Sequence, residues 1–131
     1  MGFVSDKDVL INAERQRSHL ADLVRRDPLA EYFISAITVS ELFHGFERAS
    51  NEKQRTDRRK FLDTVLSNFR VLPIDTEIAK VHATIWADLV ARNEMIGLHD
   101  SWIAATCIYH GHSLITLNRR DFERVRGLNL A

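Results

Sequence analysis

Four acidic residues, Asp6, Glu41, Asp100 and Asp121, lie far apart in a chain of 131 residues. Asp6 closes the first apolar strand pattern and Glu41 falls in the first turn of the helix expected after the second. Asp100 begins a helix, and Asp121 comes just after the strand pattern ending at Thr116. In open parallel sheets the ligand crevice lies outside the carboxyl ends of the strands, so the four can share one crevice although no local pattern joins them. Each also has a plainer reading. Thr38-Val39-Ser40-Glu41 has the form of a capping box, in which Glu41 returns to the Thr38 amide. Asp100 has the form of a helix N-cap, and Asp121 taken alone is a solvated loop acid raised in interest by Thr116 and Asn118. Asp6 favours chemistry, because a carboxylate at the end of a buried strand is costly unless it is paired or metal-bound. Zinc chemistry is poorly supplied. The six histidines have no zinc-binding spacing, Cys107 is the single cysteine, and His99, beside Asp100, is the histidine able to approach the crevice.

The elements that must hold these acids alternate. Gly2 to Ser5 leads into Asp6-Lys7-Asp8, and Val9-Leu10-Ile11 continues the apolar run, which predicts a short strand ending in acids. Leu20, Leu23 and Val24 predict a short helix that Asp27-Pro28 stops. Tyr32 to Ile37 predicts a strand, with a helix opening at Thr38 and carrying Leu42, Phe43 and Phe46. The polar stretch 51–60 followed by Phe61, Leu62, Val65 and Leu66 predicts a basic-faced helix. Phe69 to Ile74 predicts an edge strand because of Pro73. Asp75 starts a helix striped by Ile78, Val81, Ile85, Leu89 and Val90, and Asp100 to His110 forms another that Gly111 stops. Ser113 to Thr116 is a core strand, Arg119 to Val125 a polar connection, and Leu128 to Leu130 a last edge strand. Trp86 and Trp102 are assigned to core or subunit packing. The alternation implies one α/β domain over residues 1–131, with three layers and a mostly parallel central sheet flanked by helices.

Eighteen Lys and Arg balance eighteen Asp and Glu, so a nucleic-acid contact must come from a local patch rather than from overall charge. With 45% apolar residues the chain is globular in composition. No apolar stretch approaches the roughly 18 residues of a membrane span, no secretion signal is visible, and one cysteine suits the reducing cytosol.

Val-Ser-Asp6-Lys-Asp8-Val-Leu-Ile, Ile-Thr-Val-Ser-Glu41-Leu, Ile-Gly-Leu-His-Asp100-Ser-Trp-Ile-Ala-Ala-Thr and Leu-Ile-Thr116-Leu-Asn118-Arg-Arg-Asp121-Phe resemble, in order and spacing, the PIN-domain family. Within that family the chain is similar to VapC-type toxins of bacterial toxin–antitoxin pairs, from residue 3 to residue 130. The resemblance implies a PIN-like fold and a metal-dependent endoribonuclease in which Asp6, Glu41, Asp100 and Asp121 bind Mg²⁺ or Mn²⁺, while Thr116 and Asn118 support the site. Asp8 occupies a supporting position. It also implies a homodimer with a tight antitoxin partner that covers or enters the acidic crevice, while the cytoplasmic location rests on the cysteine usage. Lys7 departs from the small residue usual after the first Asp, and strand alternation is expected to turn its side chain away from Asp6.

Magnesium suits a sparse ring of acids, since it keeps several waters and takes one or two carboxylates together with phosphate oxygens. A carboxylate pocket alone repels RNA, so Arg55, Arg58, Arg59 and Lys60, with Arg119, Arg120, Arg124 and Arg126, are candidate phosphate contacts, although such charge runs are more often solvated surface. Two other readings stay open. One is a haloacid dehalogenase-like phosphatase with Asp6 as nucleophile, and the other a non-catalytic PIN-like module that binds RNA.

Overall fold

A computed structural model describes residues 2–15 and 29–131. The helix expected around Leu20 to Val24 lies outside the described residues. Four strands form one sheet of order β3-β2-β1-β4, with β1 at Gly2–Ser5, β2 at Glu31–Ser35, β3 at Arg70–Leu72 and β4 at Ser113–Ile115. Every pairing is parallel. Phe3 is opposite Tyr32 and Ser113, and Ile34 is opposite Val71. The six helices among the described residues are α1 (Lys7–Arg15), α2 (Ala36–Glu47), α3 (Glu52–Asn68), α4 (Thr76–Ala91), α5 (Leu98–His110) and α6 (Arg119–Phe122).

Strand alternation divides the core between the two faces of the sheet. Val4, Phe33 and Leu114 pack with Ile78, Ile85 and Leu89 of α4, Ile103 and Ala104 of α5, and Phe122 of α6. Tyr32 and Ile34 pack on the other face with Leu10 of α1, Leu42 and Phe46 of α2, and Leu62 and Val65 of α3. The result is the three-layer α/β arrangement implied by the sequence. Gly2 is needed where β1 begins, since a Cβ there would come within 2.7 Å of the Phe33 ring.

Several expected boundaries hold for local chemical reasons. Asp75 caps α4 by accepting the Ile78 N–H, Gly111 ends α5 with φ 71°, and Pro73 follows an edge strand. Others are corrected. Lys7 and Asp8, expected at the end of the first strand, already belong to helix α1 together with Val9-Leu10-Ile11, and Val9, Leu10 and Ala13 turn inward at helical spacing. Strand β2 stops at Ser35, not Ile37, because the Ser35 hydroxyl accepts the Ile37 N–H and starts α2 there. The expected connection after Arg119 contains α6, with Phe122 fully buried and Val125 nearly so. Leu130 forms only an isolated parallel bridge to Leu114. On α4 the buried stripe includes His82, whereas Val90 and Trp86 are exposed, so Trp86 is not a core residue. Cys107 is buried, its thiol pushed up to about 12 by loss of solvent.

Phe122 is the anchor of the short helix that carries Asp121. Phe122→Ala is expected to lower unfolding free energy by about 3–5 kcal/mol, the usual cost of emptying a buried aromatic site, as measured by urea denaturation. Phe122→Leu should cost markedly less, because most of the buried volume is kept.

Candidate active site

The strand order places the site. The chain moves outward from β1 through β2 to β3, then returns to set β4 on the opposite side of β1, so the carboxyl ends of β1 and β4 meet where the order reverses. Asp6 follows β1 directly and Thr116 follows β4 directly. The Asp6 N–H donates to the Ile115 carbonyl at 3.0 Å, and the Thr116 hydroxyl donates to Asp6 Oδ2 at 3.0 Å. Asp6 Oδ1 accepts the Lys7 N–H at 2.8 Å, which fixes the carboxylate at the start of α1. Burial pushes the Asp6 pKa above its ordinary value. The two hydrogen bonds oppose that rise, and the charges of Asp8 and Glu41 add to it.

From Thr116 the chain of contacts continues outward. Its hydroxyl also accepts the Asn118 N–H at 3.0 Å, and Asn118 Nδ2 donates to Asp121 Oδ2 at 3.1 Å. A crevice of about 440 Å³ is lined by Asp6, Asp8, Glu41 and Asp100, with Lys7 and His99 among the carboxylates and Asn118 at its edge. Asp121 is not part of that lining. It joins through Asn118, and its charge is felt at Asp100.

Neither capping reading survives. Helix α2 begins at Ala36, so Thr38 is already inside it and the Glu41 carboxylate has no capping bond. Glu41 Oε1 is buried without a hydrogen-bond partner, as is Thr38 Oγ1. Helix α5 begins at Leu98 after Gly97, and Asp100 lies in its first turn rather than at the cap. Burial and the charges of Asp6, Glu41, Asp121 and Asp8 push the Asp100 pKa up to about 6.

Lys7 is the principal correction. It is the first residue of α1, not part of an alternating strand, and its side chain turns toward the acids, with Nζ 3.5 Å from Glu41 Oε2. His99 Nδ1 lies 3.5 Å from the same oxygen. The sequence signal for His99 was its place beside Asp100, whereas the strand-alternation argument hid Lys7.

The basic residues are not gathered at the acids. Arg55 stacks over the Phe46 ring at 4.2 Å, Arg58 donates to the Gly45 carbonyl, and Arg59 pairs with Asp63. Lys60 and Arg120 are exposed, Arg119 donates to the Ala131 carbonyl, and Arg126 lies 3.6 Å from Asp88. Arg124 donates to the Met95 carbonyl and lies 4.0 Å from Asp121. A larger cavity, about 600 Å³ as bounded by the described residues, lies between α1, α2 and α3 and includes Ile11, Leu42, Phe46 and Arg58. It shares only Lys7 and Glu41 with the acidic crevice; its own acids Glu14, Glu41 and Asp57 are matched by Lys7, Arg15, Arg48 and Arg58, whereas the crevice sets four carboxylates against one lysine and is the candidate site.

The donor set consists of carboxylate oxygens, one of them buried and unpartnered, which fits a hard divalent cation better than zinc or copper. Among the described residues no three His, Cys, Asp or Glu side chains close around an ion by themselves. A cation held here would therefore keep water or substrate oxygens in its shell, as magnesium does.

An all-parallel sheet flanked on both faces, with acids collected at its strand-order reversal, defines a class of α/β proteins built to hold a polar ligand at that edge. The PIN domain model matches residues 4–128, and the chain belongs to the PIN-domain family. It is 37% identical over 130 residues to Ribonuclease VapC1 of Rickettsia felis, covering 99% of this chain and 95% of that protein. The structure of VapBC2 from Rickettsia felis bound to a DNA fragment from its promoter matches with a TM-score of 0.90 and 21% identity, covering 100% of this chain and 98% of that one. DNA-bound VapBC from Salmonella typhimurium matches with a TM-score of 0.89 and 25% identity, covering 100% and 97%. Membership of this family sets aside the haloacid dehalogenase-like alternative.

Because the folded chain holds the Asp100 and Asp6 protons more tightly than the unfolded chain does, metal-free stability should fall as pH rises from about 4 to about 6. Asp100→Asn should flatten that slope and raise metal-free stability at pH 7 by about 1–2 kcal/mol, after discounting for solvent screening. Denaturation at a series of pH values in chelator checks both.

Proposed function

We propose that this chain is a metal-dependent endoribonuclease, the toxin of a type II toxin–antitoxin pair, which hydrolyses RNA phosphodiester bonds with a metal-activated water. The observation that carries the reading is the convergence of Asp6, Glu41 and Asp100 on one crevice, with Glu41 Oε1 buried and unpartnered. The extended similarity to a protein named a ribonuclease supports the same reading. The neighbours titled VapBC support a cognate antitoxin as partner.

Asp6, Glu41 and Asp100 are the residues that would hold Mg²⁺ or Mn²⁺, with Asp121 acting from behind Asn118. A bound ion would lower the pKa of a water and offset charge on the scissile phosphate. The chain's own part is positional. Thr116 and the Lys7 amide hold the two Asp6 oxygens in place, and Asn118 ties Asp121 to that pair. Asp8 adds negative charge at the crevice wall. Exposed Lys60 and Arg120, with Arg55, Arg58, Arg59 and Arg119, supply phosphate contacts away from the acids. Residues 1–131 act as one domain, as a homodimer in the cytoplasm. No helix among the described residues is long and apolar enough to cross a membrane.

Purified protein is expected to cleave RNA in Mg²⁺ or Mn²⁺ and to stop in excess chelator; unchanged cleavage in chelator would remove the metal mechanism. Glu41→Gln should fold yet lose cleavage by about a hundredfold or more, since even outer partners of a metal site are each worth about 10- to 100-fold. Parental turnover in a folded Glu41→Gln protein would end the carboxylate assignment.

A further inference from the structure

We propose that Lys7 is a tethered counter-ion of the acidic crevice, which a divalent cation must displace from Glu41, so that this side chain sets the affinity of the site for metal. The inference rests on the metal-dependent reading above and concerns what this chain adds to it.

Lys7 engages two of the acids through different groups. Its backbone N–H is held by Asp6 Oδ1 at 2.8 Å, and its ammonium lies 3.5 Å from Glu41 Oε2. Of the described residues lining the crevice, four are carboxylates, Asp6, Asp8, Glu41 and Asp100, and Lys7 is the only lysine or arginine. Its ammonium therefore relieves part of a repulsion that nothing else in the wall balances with a permanent positive charge. The Glu41 side chain is only 12% exposed, so this contact is less screened by water than an ordinary surface ion pair.

The same placement opposes a cation. A positive charge fixed beside Glu41 repels a second one brought to that carboxylate, and the repulsion falls only if the ammonium leaves. Lys7 has room to leave. Its side chain is 37% exposed and lines both the acidic crevice and the larger cavity between α1, α2 and α3. A flexible four-carbon stem lets the ammonium swing from one to the other without moving α1. Lys7 is thus a positioning residue: it holds Glu41 in the absence of metal and weakens metal binding by the free energy needed to break that contact.

The test is calorimetric titration with Mn²⁺ alone, at low salt, on chelator-treated parent, Lys7→Gln and Lys7→Arg proteins, with thermal unfolding of each with and without Mn²⁺. Lys7→Gln is expected to bind Mn²⁺ about 5- to 30-fold more tightly, and Lys7→Arg to bind it as the parent does. Lys7→Gln should unfold at a lower temperature than the parent without metal, and at the same or a higher temperature with saturating Mn²⁺. Added KCl should shrink the affinity difference through screening. Parental affinity in Lys7→Gln, an equal loss of Tm with and without Mn²⁺, or an Lys7→Arg protein binding as tightly as Lys7→Gln would each overturn the counter-ion. A parent that binds no Mn²⁺ at millimolar concentration would instead overturn the metal reading itself. Lys7→Met repeats the comparison should Lys7→Gln not fold.

Discussion

The bond from the Thr116 hydroxyl to Asp6 Oδ2 joins two ends of the chain and fixes the floor of the site. It exists because β4 pairs with β1 in parallel, with Ser5 opposite Ile115, so the next residue of each strand emerges side by side. The Asp6 amide closes the same junction by donating to the Ile115 carbonyl. If β4 lay beside β3 instead, two strands would separate Thr116 from Asp6, which would be a buried carboxylate with one amide for company. Such a group costs several kcal/mol or takes up a proton. The strand order is therefore an electrostatic requirement of Asp6 as much as a feature of packing.

Packing on the two faces of the sheet brings the other acids to that junction. Leu42 and Phe46 bury α2 against Tyr32 and Ile34, which holds Glu41 over the end of β1. Ile103, Ala104 and Cys107 bury α5 against Val4 and Leu114, which holds Asp100 over it from the other face. The apolar faces of these helices supply the stability, while Glu41 in the second turn of α2 and Asp100 in the first turn of α5 carry like charges that repel. Burial first, and that repulsion second, raise the pKa of Asp100, and the repulsion is offset locally by Thr116, the Lys7 amide and the Lys7 ammonium. A site that is unfavourable when empty of cations is one that gains by taking one up.

What was legible in the sequence follows the range of the interaction that decides each feature. Asp75, Pro73 and Gly111 act on their immediate neighbours, so the start of α4, the edge position of β3 and the end of α5 could be read directly. Asp6, Glu41 and Asp100 could be placed at one crevice because alternating strands and helices leave few arrangements for the carboxyl ends of a parallel sheet, whereas Asp121 lies outside the lining, behind Asn118. Short apolar runs are ambiguous in period: the three adjacent residues Val9-Leu10-Ile11 do not announce a helix, so Asp6-Lys7-Asp8 reads as the end of the strand. That placement misdirects Lys7, since a strand alternates faces and a helix start does not. The capping box at Thr38 failed for a related reason. Ser35 had already capped the helix, and a four-residue pattern carries no information about a better cap just before it. Phe122 was hidden among arginines and acids, where only contact with Val4, Leu114 and Ile103 reveals it as core.

Charge neutrality has a similar local resolution. Eighteen cations and eighteen anions cancel over the whole chain, yet the acids Asp6, Asp8, Glu41 and Asp100 line one crevice while Arg55, Arg58, Arg59 and Lys60 sit together on α3. Over distances longer than the roughly 8 Å screening length at physiological salt, a polyanion feels each patch nearly independently. The α3 surface can attract phosphates that the crevice repels, so binding and chemistry need not be carried by the same residues. The two regions meet at Lys7 and Glu41, the residues common to both cavities. Four carboxylates against one ammonium leave the crevice net negative, and a divalent cation held there would remove much of that excess and lessen its repulsion of phosphate oxygens. On the metal-dependent reading proposed above, metal uptake and engagement of a phosphate backbone would be coupled through charge, without any movement of the sheet.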